Sequence, residues 1–185
     1  MFRISASTST SARLLAQQVR ARHLNTVASE VDVRPRLMAE LKNAMKTKDT
    51  MASTTIRSVL SEVYAADKTS SDSRASPSAV LLLLRKAVAR RTESAAQFIQ
   101  ASRPDLAEKE QQEAELLTKF LPALMPEGDV DDILKGILAS EGLITPGADP
   151  RKATGKLYKA FFARVDRSLV DQDILKRRIE AALAA

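Results

Sequence analysis

The sequence predicts an all-α fold, with a four-helix N-terminal unit followed by a small three-helix C-terminal unit. Three observations carry that expectation. Apolar residues recur at helical spacing almost throughout, with no convincing strand alternation. Hydroxyl or carboxylate residues stand before prolines where helices should begin, as in Ser76-Pro77 and Asp149-Pro150. All five glycines (128, 136, 142, 147 and 155) fall beyond Pro126, a composition shift that marks a second unit.

Pro35 suits a first helical turn, and Leu37, Met38, Leu41, Ala44 and Met45 form the stripe behind it. A second helix is expected from about 50 to 67 on Ile56, Val59, Leu60 and Val63. The Ser-rich run Lys68 to Ala75 reads as a loop. From Ser76-Pro77 a long helix should reach about Ala101, with Leu81, Leu84, Val88, Ala95 and Phe98 facing the core. Pro104 disfavours helix in the residue before it and starts a fourth helix to about Leu121. Its stripe, Leu106, Glu110, Glu113, Ala114, Leu117 and Leu121, includes two acids that belong at its edge. These elements make a helical domain over 33–121, and 122–126, bounded by prolines, reads as a linker.

The C-terminal unit, 127–185, opens with a short helix on Val130, Ile133, Leu134, Ile137 and Leu138, capped by Asp129 and ended by Gly142. A helix from Asp149-Pro150 to about Val165 carries Ala153, Leu157 and Phe161. The last runs from about Ser168 or Leu169 to the C-terminus with Ile174, Leu175, Ile179 and Leu183. A unit of this size is marginal for an independent core.

The chain has 29 basic and 23 acidic residues, a net charge of +6. Arg3, Arg13, Arg20 and Arg22 lie in residues 1–29 with no acid and eight Ser or Thr. That stretch reads as a mitochondrial presequence, with Arg13, Gln17 and Arg20 on one helical face and Ala12, Leu15 and Val19 roughly opposite. Arg22-His23-Leu24 suits cleavage after Leu24 or a few residues later, so the mature chain would work in the mitochondrial matrix without His. No apolar run approaches the roughly 20 residues of a membrane span.

Composition excludes several chemistries. With no Cys, there is no thiol nucleophile, disulfide or Cys-based zinc site. No Gly-rich phosphate loop is present, and no Ser/Lys spacing marks an amidase. Glu108, Glu110, Glu113 and Glu115 read as solvated or salt-bridged surface, and Asp129, Asp131 and Asp132 as carboxylates favoured at a helix start. Neither group has metal-loop spacing, so no catalytic residue, metal site or cofactor is assigned.

The charge pattern points instead to a polyanion. Residues 127–150 hold one base and six acids, whereas 151–178 hold nine bases and three acids. The basic members, Arg151, Lys152, Lys156, Lys159, Arg164, Arg167, Lys176, Arg177 and Arg178, are candidate RNA phosphate contacts. Lys152, Lys156 and Lys159 share a helix face, and Gly155 would let a phosphate backbone approach without a Cβ. Tyr158 is the one candidate for stacking, with Phe161 and Phe162 expected to pack. Arg85, Lys86, Arg90 and Arg91 are expected on the surface, spread around their helix.

The block Arg91 to Pro122 combines an Arg, the pair Gln97-Phe98, Arg103-Pro-Asp-Leu-Ala107, a Glu-rich turn and a Leu121-Pro122 close. It resembles the hallmark of the YqeY family. Leu41, Ala44, Met45, Lys46, Lys48, Asp49 and Ile56-Arg57 resemble the family's opening, and Gly155-Lys156-Leu157-Tyr158 its C-terminal Gly-Lys segment. With a presequence, the chain is similar to the mitochondrial fungal branch, the altered inheritance of mitochondria family. The resemblance implies a relation to the tail of the B subunit of tRNA-dependent amidotransferase, a helical unit plus a small three-helix unit that contacts tRNA. It also implies family-level carbon–nitrogen ligase activity with glutamine as amido-N-donor. Because this chain has no apparatus for that chemistry, at most an accessory role is expected, with tRNA, amidotransferase subunits or another matrix protein as partner. The alternative is a matrix protein-interaction module that binds no RNA. Family members often carry Gly-x-x-Asp-Gly-Lys between the last two helices; here Val165 to Asp173 has no glycine, so RNA contact at that turn would use side chains.

Overall fold

A computed structural model describes residues 32–70, 72–141 and 150–184. The presequence assigned to 1–29 lies outside the described residues, as do Gly142, Gly147 and Asp149. Within them the chain is all-helical, and it divides into two compact units at Pro122–Ala123.

The first unit comprises α1 (Arg34–Thr47), α2 (Thr50–Thr69), α3 (Pro77–Gln100) and α4 (Pro104–Thr118). Leu37, Ile56, Val59, Val63, Leu81, Leu84, Ala87 and Leu117 meet in its core. The expected α3 stripe shifts slightly: Val88 and Phe98 are half-buried and Ala87 takes the central place, because close packing of α3 against its neighbours favours the small side chain there. Local chemistry sets the ends. The Asp49 carboxylate accepts from Ala52 N–H at 2.9 Å and the Ser76 hydroxyl from Ala79 N–H at 3.2 Å. After α3, Arg103 N–H donates to Phe98 O at 2.8 Å and Ser102 N–H to Ile99 O at 3.0 Å, with Ser102 left-handed at φ 57°. That is a Schellman end built on serine, and it turns the chain straight into α4. α4 stops at Thr118 rather than Leu121, because Phe120 and Leu121 N–H turn back to Leu117 and Thr118 at 3.1 and 3.0 Å, burying Phe120. α2 runs two residues past its expected end, to Thr69.

Arg91, expected on the surface, is a tie between helices. Its Nε donates to Glu113 on α4 at 2.8 Å and its Nη2 to Ser58 on α2 at 3.1 Å, with its side chain 14% exposed. Arg85 donates to Pro122 O at 2.9 Å, and Arg90 pairs with Glu62. Arg34 forks onto Asp67 at 2.8 and 2.6 Å, which in turn accepts from Ala75 N–H at 2.7 Å. This network fastens the Ser-rich loop to the start of α1. The Arg34 guanidinium, then the Ala75 N–H, hold the Asp67 carboxyl down to about 2.

The second unit comprises α5 (Glu127–Glu141), α6 (Pro150–Phe162), a short 3-10 turn (Arg167–Leu169) and α7 (Gln172–Ala184). Val130, Leu134, Ile137, Leu157, Phe161, Leu175 and Ile179 form its core. α5 begins two residues before Asp129, because Pro126 O accepts from Asp129 and Val130 N–H at 3.1 and 3.2 Å. Asp129 therefore lies in the first turn rather than at the cap. α6 ends at Phe162, short of Val165. α7 begins at Gln172, where the Asp171 carboxylate accepts from Asp173 and Ile174 N–H at 2.8 and 3.2 Å. Leu169 and Val170 are buried from the preceding turn, which extends the apolar pattern ahead of the helix. Met125 is also buried, and its N–H donates to Leu169 O at 2.8 Å.

Candidate nucleic-acid interface

The basic residues of the second unit are placed by α6. Ala153, Leu157 and Phe161, four apart, face the core, which leaves Lys152, Gly155, Lys156 and Lys159 exposed on the opposite side. Tyr158 and Phe162 lie at the border between the two faces, half-buried, with rings stacked at 6.1 Å and 22°. Phe161 meets Phe162 edge-on at 5.7 Å from beneath. The turn after α6 then brings the Arg167 guanidinium 4.9 Å above the Phe162 ring. Contacts of this kind contribute about 0.5–1 kcal/mol at exposed sites. Burial, with Glu180 and Asp173, pushes the Tyr158 hydroxyl above its ordinary pKa, so it is a neutral hydrogen-bonding group at physiological pH.

These residues share a groove of about 680 Å³ between α6 and α7. Gly155, Tyr158, Lys159, Phe162, Arg167 and Lys176 line it, with Gln172 and Asp173 at the start of α7. Four of the ten candidate residues are thus brought together: Gly155, Lys159, Arg167 and Lys176. A Cβ at Gly155 would meet no protein atom within 4 Å, so the glycine leaves open space rather than relieving a clash. Among the described residues of the glycine-free turn no residue has a left-handed backbone, so the turn closes without one and presents the Arg167 side chain instead.

Lys152 and Lys156 are exposed on α6 beyond the groove lining, and Arg177 is exposed on α7. The side chain of Arg151 lies outside the described residues. Arg164 donates to Ser140 Oγ at 3.3 Å. Arg178 forks onto Asp131 of α5, with Glu127 4.0 Å away, so its charge is largely spent within the unit. Phe162 packs against the core as expected; what sequence reasoning missed is that it also lines the groove, with Gln172 and Asp173. The i, i+4 spacing of Tyr158 and Phe162 was the available signal, but their ring contact depends on how far α6 is rolled into the core. Among the described residues no group of three or more His, Asp or Glu could hold a metal ion, and no helix is long and apolar enough to cross a membrane.

The block Arg91 to Pro122 spans the end of α3, the turn and α4, and its polar residues act in the fold: Arg91 on Glu113, Arg103 on Asp105 at 3.0 Å. A family model described as Yqey-like protein matches residues 34–183, covering both units. The chain belongs to the YqeY-like family. Among relatives of this YqeY-like chain, a protein of Pyrenophora tritici-repentis named "Altered inheritance of mitochondria protein 41, mitochondrial" is 29% identical over 93% of this chain and 92% of its own length. Proteins of the same name from Candida glabrata and Kluyveromyces lactis are 39% and 31% identical, over 52% and 65% of this chain and 53% and 66% of their own lengths. These names support a mitochondrial YqeY-type protein.

Proposed function

We propose that this YqeY-family chain is a non-catalytic, tRNA-associated module of the mitochondrial matrix, related to the B-subunit tail of the tRNA-dependent amidotransferase. The observation that carries the reading is the groove itself, where Lys159, Arg167 and Lys176 converge beside stacked aromatic rings. Lys152 and Lys156 extend its positive charge along α6. Such an arrangement suits phosphate contacts that position an RNA without reading its sequence. In any glutamine-dependent carbon–nitrogen ligase, the chain would serve as an accessory that holds tRNA.

The test is tRNA binding by the purified chain, titrated against salt. Each neutralised phosphate contributes roughly 0.7–0.9 to the log–log salt slope. Phosphate contact by all six of Lys152, Lys156, Lys159, Arg167, Lys176 and Arg177 would give a slope of about five. Joint reversal of Lys152 and Lys156 to Glu should weaken binding at least about tenfold and lower the slope by about two. Unchanged affinity would remove these residues from the interface. No binding at low salt would remove the tRNA reading.

A second reading rests on the first unit, where α3 and α4 frame a groove of about 940 Å³ lined by Val88, Ala95, Ala96, Ile99 and Ala114. Ile99 is 58% exposed there. A matrix protein seated on this apolar surface would form a salt-insensitive complex, weakened by Ile99→Asp and recovered without RNA.

A further inference from the structure

We infer that the α6–α7 groove holds one unpaired nucleotide, its base continuing the Tyr158–Phe162–Arg167 stack and its phosphate against Lys159 and Lys176. This rests on the nucleic-acid reading above and goes beyond phosphate contact. A site built only for phosphates has no use for ring faces, whereas two stacked rings topped by a guanidinium form a platform for a third planar group. Bases inside a duplex already stack on their neighbours, so the platform selects a base that is splayed out. The groove volume, about 680 Å³, lies within the roughly 300–1,000 Å³ range of small-molecule pockets.

The acidic side chain in the lining narrows the ligand further. Asp173 would repel a bare polyanion, but its carboxylate accepts hydrogen bonds from an exocyclic amino group. Gln172 beside it offers both a donor and an acceptor. The wall therefore suits a base that turns a donor toward Asp173: the amino groups of cytosine, adenine or guanine, and less readily the single N3–H of uracil. The same chemistry is met by a free nucleotide and by an unpaired residue of an RNA chain.

The experiment compares the full chain with its Tyr158→Leu and Phe162→Leu variants, each of which keeps an apolar side chain against the core, after circular dichroism has established that they fold. Three probes are titrated: a cytidine hexanucleotide, a blunt RNA duplex and cytidine monophosphate. Tyr158→Leu should weaken hexanucleotide binding about tenfold and leave duplex binding within about twofold. Phe162→Leu should act in the same direction. A uridine hexanucleotide should bind the native chain several-fold more weakly than the cytidine one, and Asp173→Ala, which removes the acceptor, should erase that difference. Duplex binding that persists with a steep salt slope while neither aromatic variant changes hexanucleotide affinity would overturn the groove inference and leave the phosphate reading standing. Tyr158-dependent binding of the monophosphate without any RNA binding would keep the groove and overturn the tRNA reading. Binding of none of the probes overturns both.

Discussion

Two residues show how single positions decide this fold. Ser102 takes the left-handed backbone that ends α3, a conformation costing a non-glycine residue about 1 kcal/mol or more. Ser102→Gly should therefore raise stability by about 1 kcal/mol, visible as a higher thermal midpoint. The sequence marks an interruption at Ser102-Arg103-Pro104, yet it hides the turn type, because such ends usually carry glycine. Asp67 is the acid-sensitive point. Its carboxyl is lowered to about 2 in the fold and returns to about 3.9 when the chain unfolds. Its contribution is complete above the unfolded value and drains away as pH falls from about 4 toward 2. Asp67→Asn should lower the urea midpoint at pH 7 and flatten its fall between pH 4 and 2. Nothing local in the sequence announces this site, since Arg34 and Ala75 reach Asp67 only through tertiary folding.

At the scale of elements, α6 buries one face in the core and exposes another, and Gly155 lies on the exposed face with Lys152, Lys156 and Lys159. A glycine in a helix interior costs about 1 kcal/mol relative to alanine, and an added Cβ here meets open space. Gly155→Ala should stabilise the second unit by up to about 1 kcal/mol while weakening RNA binding, a split seen by pairing thermal melts with titrations. Gain of stability with unchanged affinity would mean that no phosphate approaches at that position. The existence and order of the helices were legible because their apolar spacing is strong. Boundaries were less so. Asp171 caps α7, but the buried Leu169 and Val170 precede it and mimic an earlier start. The groove was half legible: Lys159, Arg167 and Lys176 followed from charge, whereas the stacked pair needed the roll of α6. Arg178 looked like its neighbours in sequence and is instead neutralised by Asp131 across the unit.

For the whole molecule, the described residues of the two units have separate apolar clusters. A core as small as the second supplies about 3–5 kcal/mol, and truncating a buried Phe costs about as much. Phe161, fully buried, is the test: Phe161→Ala should abolish slow hydrogen exchange across α5, α6 and α7 while α1 to α4 keep their protection. Exchange lost equally in both units would show a single cooperative molecule. The distribution of charge over the second unit has a kinetic consequence. α5 opens with Glu127, Asp129 and Asp132 besides the paired Asp131, whereas α6 and α7 carry the exposed Lys152, Lys156, Lys159 and Lys176. An anionic chain drifting toward this unit is repelled by one helix and drawn by the other two, so the torque acts before any atoms touch. Replacing the exposed Asp132 with Lys would weaken that torque, so the association rate at low salt should rise less than for the same gain of charge placed on α6. Orientation during approach would be the contribution of a helix that never touches the ligand.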